Sequence, residues 1–121
     1  MKFIRVVLVL LVLFAGPVLA GEADVIKVII KFTGENSYQF HVTVRHKDEG
    51  WDHYADKWDI VAPDGTVLGT RVLYHPHVNE QPFTRSLGGV KIPSGIEEVT
   101  IRAHDSVHKY GGREVKVKVP R

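Results

Sequence analysis

Residues 37–46 read SYQFHVTVRH. Tyr38, Phe40, Val42 and Val44 alternate with Gln39, His41, Thr43 and Arg45, and this period of two is that of a strand with one face buried and one facing water. Upstream, DVIKVIIKFT at 24–33 is rich in β-branched residues and ends at Gly34-Glu35-Asn36, so a first strand turns back into this one. Downstream, YADKWDIVA (54–62) sets Trp58 and Ile60 against Lys57 and Asp59, and Pro63-Asp64-Gly65-Thr66 returns it into VLGTRVLY (67–74). FTRSLGGV (83–90), EEVTIRAH (97–104) and REVKVKV (113–119) follow. HPHVNEQP holds two prolines and reads as a loop. Seven short strands without helical periodicity predict an all-β, seven-stranded immunoglobulin-like antiparallel β-sandwich. A small open barrel is the alternative.

Before this domain, Lys2 and Arg5 precede an apolar run from Val6 to Ala15, broken at Gly16-Pro17, and Val18-Leu19-Ala20 has the form of a signal-peptidase site. The expectation is a signal peptide at 1–20 and a mature domain at 21–121, periplasmic or secreted. The apolar segment gives way to Gly21, Glu22 and Asp24, short of the roughly 20 apolar residues of a membrane span. Losing Lys2 and Arg5 leaves 14 basic residues against 14 acidic ones. A formally neutral domain has no broad electrostatic attraction for nucleic acid or anionic membrane. There is no cysteine, and the one methionine is Met1. The domain is therefore held by its core alone, carries no cysteine-linked lipid, and has no sulfur ligand for Cu(I).

Antiparallel succession sends alternate connections to opposite ends of a sandwich. TGENS, APDGTV and GVKIPSG fall at one pole; HKDEGWDH, HPHVNEQP and HDSVHKYGG fall at the other. Six of the seven histidines, His46, His53, His75, His77, His104 and His108, lie in or beside the second set, and His41 is mid-strand. Asp48, Asp52, Glu80 and Asp105 are at that pole too. Imidazole with carboxylate and no sulfur suits a divalent transition metal such as Fe, Cu or Zn. The candidate ligands are His53, His75, His77, His104, His108, His46 and Asp105. Other uses of the same histidines are solvation or capping, ordering of loops, and a contact surface that charges near pH 6. A hydrolase has little support, since there is no G-x-S-x-G elbow and Ser106 has only His104 and Asp105 for company. Arg85 could bind an anion or brace a loop carboxylate.

HYADKWDIVAPDGTVLG and DSVH at 105–108 resemble the strand, hairpin and ligand loop of the superoxide reductase (desulfoferrodoxin) iron domain. The resemblance implies an immunoglobulin-like sandwich with iron at one pole, His53 and His108 as ligands and His46 near a third. Asp105 stands where that family has its thiolate, and the expected His-Pro pair lies after the hairpin at His75-Pro76. Gln81-Pro82-Phe83 and its surroundings are similar to the Z-type sulfur-oxidation carrier partner, which implies a protein-binding module without metal. GWDHYAD, HPHVNEQPFTR and HDSVHKYGG also resemble small exported bacterial proteins, a likeness that implies no activity. Two functions follow as expectations: a metal-binding pole, and a non-enzymatic accessory domain that docks a periplasmic protein partner through the same loops.

Overall fold

Tyr38, Phe40, Val42 and Val44 are fully buried, and the residues between them are partly exposed, as the alternation requires. The computed structural model describes residues 9–11 and 21–121. Apart from Val9–Leu11, the expected signal peptide lies outside the described residues. The strands are β1 (Val9–Leu11), β2 (Asp24–Gly34), β3 (Ser37–Arg45), β4 (Ala55–Val61), β5 (Val67–Val72), β6 (Phe83–Lys91), β7 (Glu98–Asp105) and β8 (Val115–Lys118). Among the described residues there is no helix. The seven expected strands are β2 to β8, and β1 pairs with the outer edge of β2 at Lys27, Val28 and Ile29.

Two four-stranded sheets form, in the orders β1-β2-β3-β6 and β5-β4-β7-β8, and every ladder is antiparallel. The chain crosses between sheets at β3–β4, β5–β6 and β6–β7, which is the Greek-key connection of an immunoglobulin-like sandwich. No ladder joins the two sheets among the described strands, which excludes the barrel. Trp58, Phe40, Ile60, Ile101 and Phe83 are among the largest buried side chains between them.

Two strands are shorter than their sequence pattern, each for a local reason. β5 ends at Val72, although Leu73 N–H still bonds its in-register partner Asp56 O at 2.8 Å; Pro76, which has no N–H, keeps the ladder from running further. β8 starts at Val115 because Arg113 binds the beginning of β2 instead: its N–H donates to Asp24 Oδ1 at 2.7 Å and its carbonyl accepts from Val25 N–H at 2.9 Å. Asp59, on the outer face of β4, is buried there. It accepts from Thr70 Oγ1 (2.7 Å), Tyr110 Oη (2.6 Å) and Arg102 Nε (3.3 Å).

Register fixes which residues share a pole. Asp24 pairs with Arg45 and Ala55 with Asp105. The chain leading into β2 therefore lies at the same end as the β3–β4 and β7–β8 loops.

Candidate metal centre

His46 is the first residue beyond β3, His53 lies just before β4, and Asp105 is the last residue of β7. Strand ends place all three, so they inherit the rigidity of the sheets. Among the described residues, His46, His53 and Asp105 form a group whose donor atoms all lie within 4.8 Å of one another. His46 and Asp105 are fully buried, and His53 is partly so.

Each side chain is oriented by a second contact. His46 Nδ1 donates to Asp48 Oδ1 in a very short hydrogen bond, and His53 Nδ1 donates to Glu49 Oε1 at 2.9 Å. This turns both Nε2 atoms to Asp105 Oδ2, in close contact with His46 and at 2.9 Å from His53. The other Asp105 oxygen, Oδ1, accepts from the backbone N–H groups of Val107 (2.6 Å) and His108 (2.7 Å). One oxygen thus shapes the loop while its twin faces the histidines. Asp48 is anchored likewise, accepting from Ala55 N–H at 3.0 Å and His77 N–H at 2.6 Å.

A fourth donor atom is the carbonyl oxygen of Gly21, 3.2 Å from His46 Nε2 and 3.1 Å from His53 Nε2. Two nitrogens and two oxygens therefore meet. A tetrahedral ion with bonds near 2.0–2.1 Å would set its ligands about 3.3 Å apart, close to the 2.9–3.2 Å spacings of His53 with Asp105 and of both rings with Gly21. His46 and Asp105, in closer contact, would have to separate.

The electrostatics favour positive charge here. Burial acts to lower the pKa of His46, but the hydrogen bond to Asp48 and the charges of Asp105 and Asp48 outweigh it and raise the pKa above the ordinary value. The hydrogen bond to Glu49 raises that of His53, against burial and with help from Gly21 O and Asp105. Burial pushes Asp48 and Asp105 upward, yet the N–H groups and histidines around them bring both below the usual carboxylate value.

The other candidate ligands lie as follows. The His108 ring packs edge-on against His53, with centroids 5.1 Å apart, and its Nε2 is 2.4 Å from where a β-carbon on Gly21 would be. His75 and His77 form a separate edge-on pair at 4.8 Å, and His77 stacks on Phe83 at 4.2 Å. The His77 ring nitrogens are buried without a hydrogen-bond partner, and burial lowers its pKa. His104 Nδ1 donates to Asp56 Oδ1 at 2.6 Å, on the outer side of β4 and β7. His41, on β3, bonds Ser86 Oγ at 2.7 Å. Arg85 braces a loop carboxylate, Glu80, at 3.1 Å. Glu49 and Gly21 were not among the expected site residues. Glu49 was legible as a carboxylate four places before His53; a backbone carbonyl leaves no sequence signature.

What the fold and site define is an immunoglobulin-like sandwich with a buried histidine–carboxylate cluster at one pole. No protein-family model matches the chain, so the resemblance to the superoxide reductase iron domain is not shown, although His46, His53, Asp105 and His108 do meet at this pole. No solved structure matches either. A Halomicrobium mukohataei protein named "Putative lipoprotein" is 41% identical over 96 residues, which are 79% of this chain and 47% of that relative. The chain thus spans about half of the relative's length.

Proposed function

We propose that this domain works outside the cytoplasm and binds a divalent transition ion through His46 Nε2, His53 Nε2 and Asp105 Oδ2. The observation that carries the reading is the paired orientation: each histidine has Nδ1 held by a carboxylate and Nε2 aimed at the same oxygen. A carboxylate on the far ring nitrogen fixes tautomer and direction in metal-binding histidines in this way. Nitrogen and oxygen donors without sulfur suit Zn(II), Cu(II) or Fe(II). The leader-like start of the sequence and the lipoprotein name of the relative support export. No helix among the described residues is long and apolar enough to cross a membrane.

The test is metal analysis of the purified protein, followed by titration with Zn(II), Cu(II) and Fe(II). Stoichiometric binding lost in His46→Ala and His53→Ala, but kept in His104→Ala, is expected. Folded protein that takes up none of the three ions refutes the reading.

A second reading, docking of a periplasmic protein, is supported by what the same loops expose. Trp51, Tyr74, Val78 and Val107 are large apolar side chains left to solvent in the loops of this pole. Replacing Trp51 and Tyr74 with serine would abolish capture of such a partner and leave ion binding intact.

A further inference from the structure

The start of the described domain is held more firmly than an ordinary chain terminus. Ala23 is fully buried and Asp24 nearly so, and Arg113 clasps Asp24 and Val25 through backbone bonds. Gly111 and Gly112 make room for it: a β-carbon on Gly112 would lie 1.8 Å from Ala23 O, and one on Gly111 would lie 2.3 Å from Glu22 Oε2. Gly21 itself has φ +89°, a backbone conformation that side chains rarely allow, and a β-carbon there would push the His108 ring aside. Three glycines and a buried segment therefore deliver one backbone unit, Gly21, to the two Nε2 atoms that its carbonyl touches.

Gly21 is also the residue that follows the expected cut. Hydrolysis of the Ala20–Gly21 amide by a signal peptidase, with water as the co-reactant, leaves a carboxylate on Ala20 and a free α-amine on Gly21. An N-terminal glycine offers amine nitrogen and carbonyl oxygen two carbons apart, the spacing of a five-membered chelate ring. With no chain before it, the amine can rotate about Cα–C toward an ion already bound at the carbonyl. We infer that processing completes the metal site: the α-amine and carbonyl of mature Gly21 join His46, His53 and Asp105 as ligands, and export thereby switches on high affinity. This rests on the proposed metal reading.

The full chain would be produced in an exporting host, beside a variant with Ala-Ser inserted between Ala20 and Gly21 so that the mature amine is displaced. Intact mass should show the native protein beginning at Gly21. Zn(II) affinity of the extended protein should be weaker by about 10–100-fold or more, the loss of a direct ligand exceeding that of an outer-shell partner. His46→Ala should abolish binding in both. As a measurement independent of the insertion, Cu(II)-loaded native protein grown on glycine with heavy nitrogen should show altered nitrogen coupling in its paramagnetic resonance spectrum, because imidazole nitrogens stay unlabelled. Equal affinities with an unaltered spectrum, while His46→Ala still abolishes binding, overturn the role of the amine and leave the metal site standing. A native terminus other than Gly21 also overturns it. Binding by neither protein overturns the metal reading and this inference together.

Discussion

Replacing Asp48 with alanine tests the physical basis of the site most directly. The carboxylate is 4% exposed and serves three donors: His46 Nδ1, Ala55 N–H at 3.0 Å and His77 N–H at 2.6 Å. These come from the end of β3, the start of β4 and the β5–β6 loop, so one side chain ties three segments of the pole together. Each buried donor left without a partner costs about 1–3 kcal/mol. The His46 ring can release or redirect its proton, but the two backbone groups cannot, so the loss should be about 2–6 kcal/mol. A domain of this size has about 5–15 kcal/mol in total, and Asp48→Ala should shift its unfolding midpoint strongly. Asp48→Asn, which keeps one acceptor oxygen, should fall between. Urea unfolding in the presence of chelator isolates this effect from bound ion, and a separate titration should show metal affinity reduced about 10–100-fold. A loss below about 1 kcal/mol in Asp48→Ala, within the range of ordinary substitutions, would refute the claim that this buried acceptor organises the pole.

Other expectations follow from the same structure. Trp58→Ala, at the centre of the core, should cost about 3–5 kcal/mol by urea unfolding; a smaller loss would mean the sheets close over the cavity. Gly112→Ala should destabilise by about 1–3 kcal/mol, since its β-carbon would meet the Ala23 carbonyl, and should weaken metal binding by displacing Gly21; unchanged affinity would show that the clasp does not set the site. The pH dependence has a defined sign. His46 and His53 have folded pKa values raised above 6.5, so their contribution is complete below 6.5 and is lost as pH rises through the raised values. Asp48 and Asp105 are lowered from 3.8, so theirs is present above 3.8 and lost as pH falls through the lowered values. Chelated protein should therefore lose stability above pH 6.5 while metal affinity rises over the same window as ring protons leave. Unfolding midpoints that climb with pH there would contradict this.

Most of the fold was legible because strand periodicity is a local signal. The alternation in SYQFHVTVRH and EEVTIRAH placed Tyr38, Phe40, Val99 and Ile101 inward without any tertiary information. Strand ends were less legible, because Arg113 exchanges a ladder position for bonds that only the packed sandwich offers. Counting connections brought six histidines to one pole, but sequence cannot say which rings turn inward. His46 and His53 do so because Asp48 and Glu49 hold their far nitrogens. His104 is held outward by Asp56, and His77 lies flat on Phe83. Asp59 reads as a solvent-side residue and is buried under Thr70, Arg102 and Tyr110, the last from a loop 51 residues away.

The arrangement at the pole conflicts with what folding alone would select. Two buried carboxylates, Asp48 and Asp105, flank one buried imidazole, and both of its nitrogens face only oxygen acceptors. Leucine or valine at these positions would avoid the desolvation cost that buried charges impose. Protons on His46 and His53 balance the two carboxylates at low pH; once those protons leave, a divalent ion between Asp105 and the two Nε2 atoms would balance both and let the rings be neutral. Local rules are broken in this way where a site has a task beyond stability. Asp105 illustrates the point within one side chain: Oδ1 has two backbone donors and would suffice to shape the loop, while Oδ2 is left to the histidines. Asparagine at 105 could keep the loop and would remove the negative charge. Asp105→Asn should therefore keep the loop, give up the stability that the ionised carboxylate contributes above pH 3.8, and abolish ion binding, which separates the two uses of this residue.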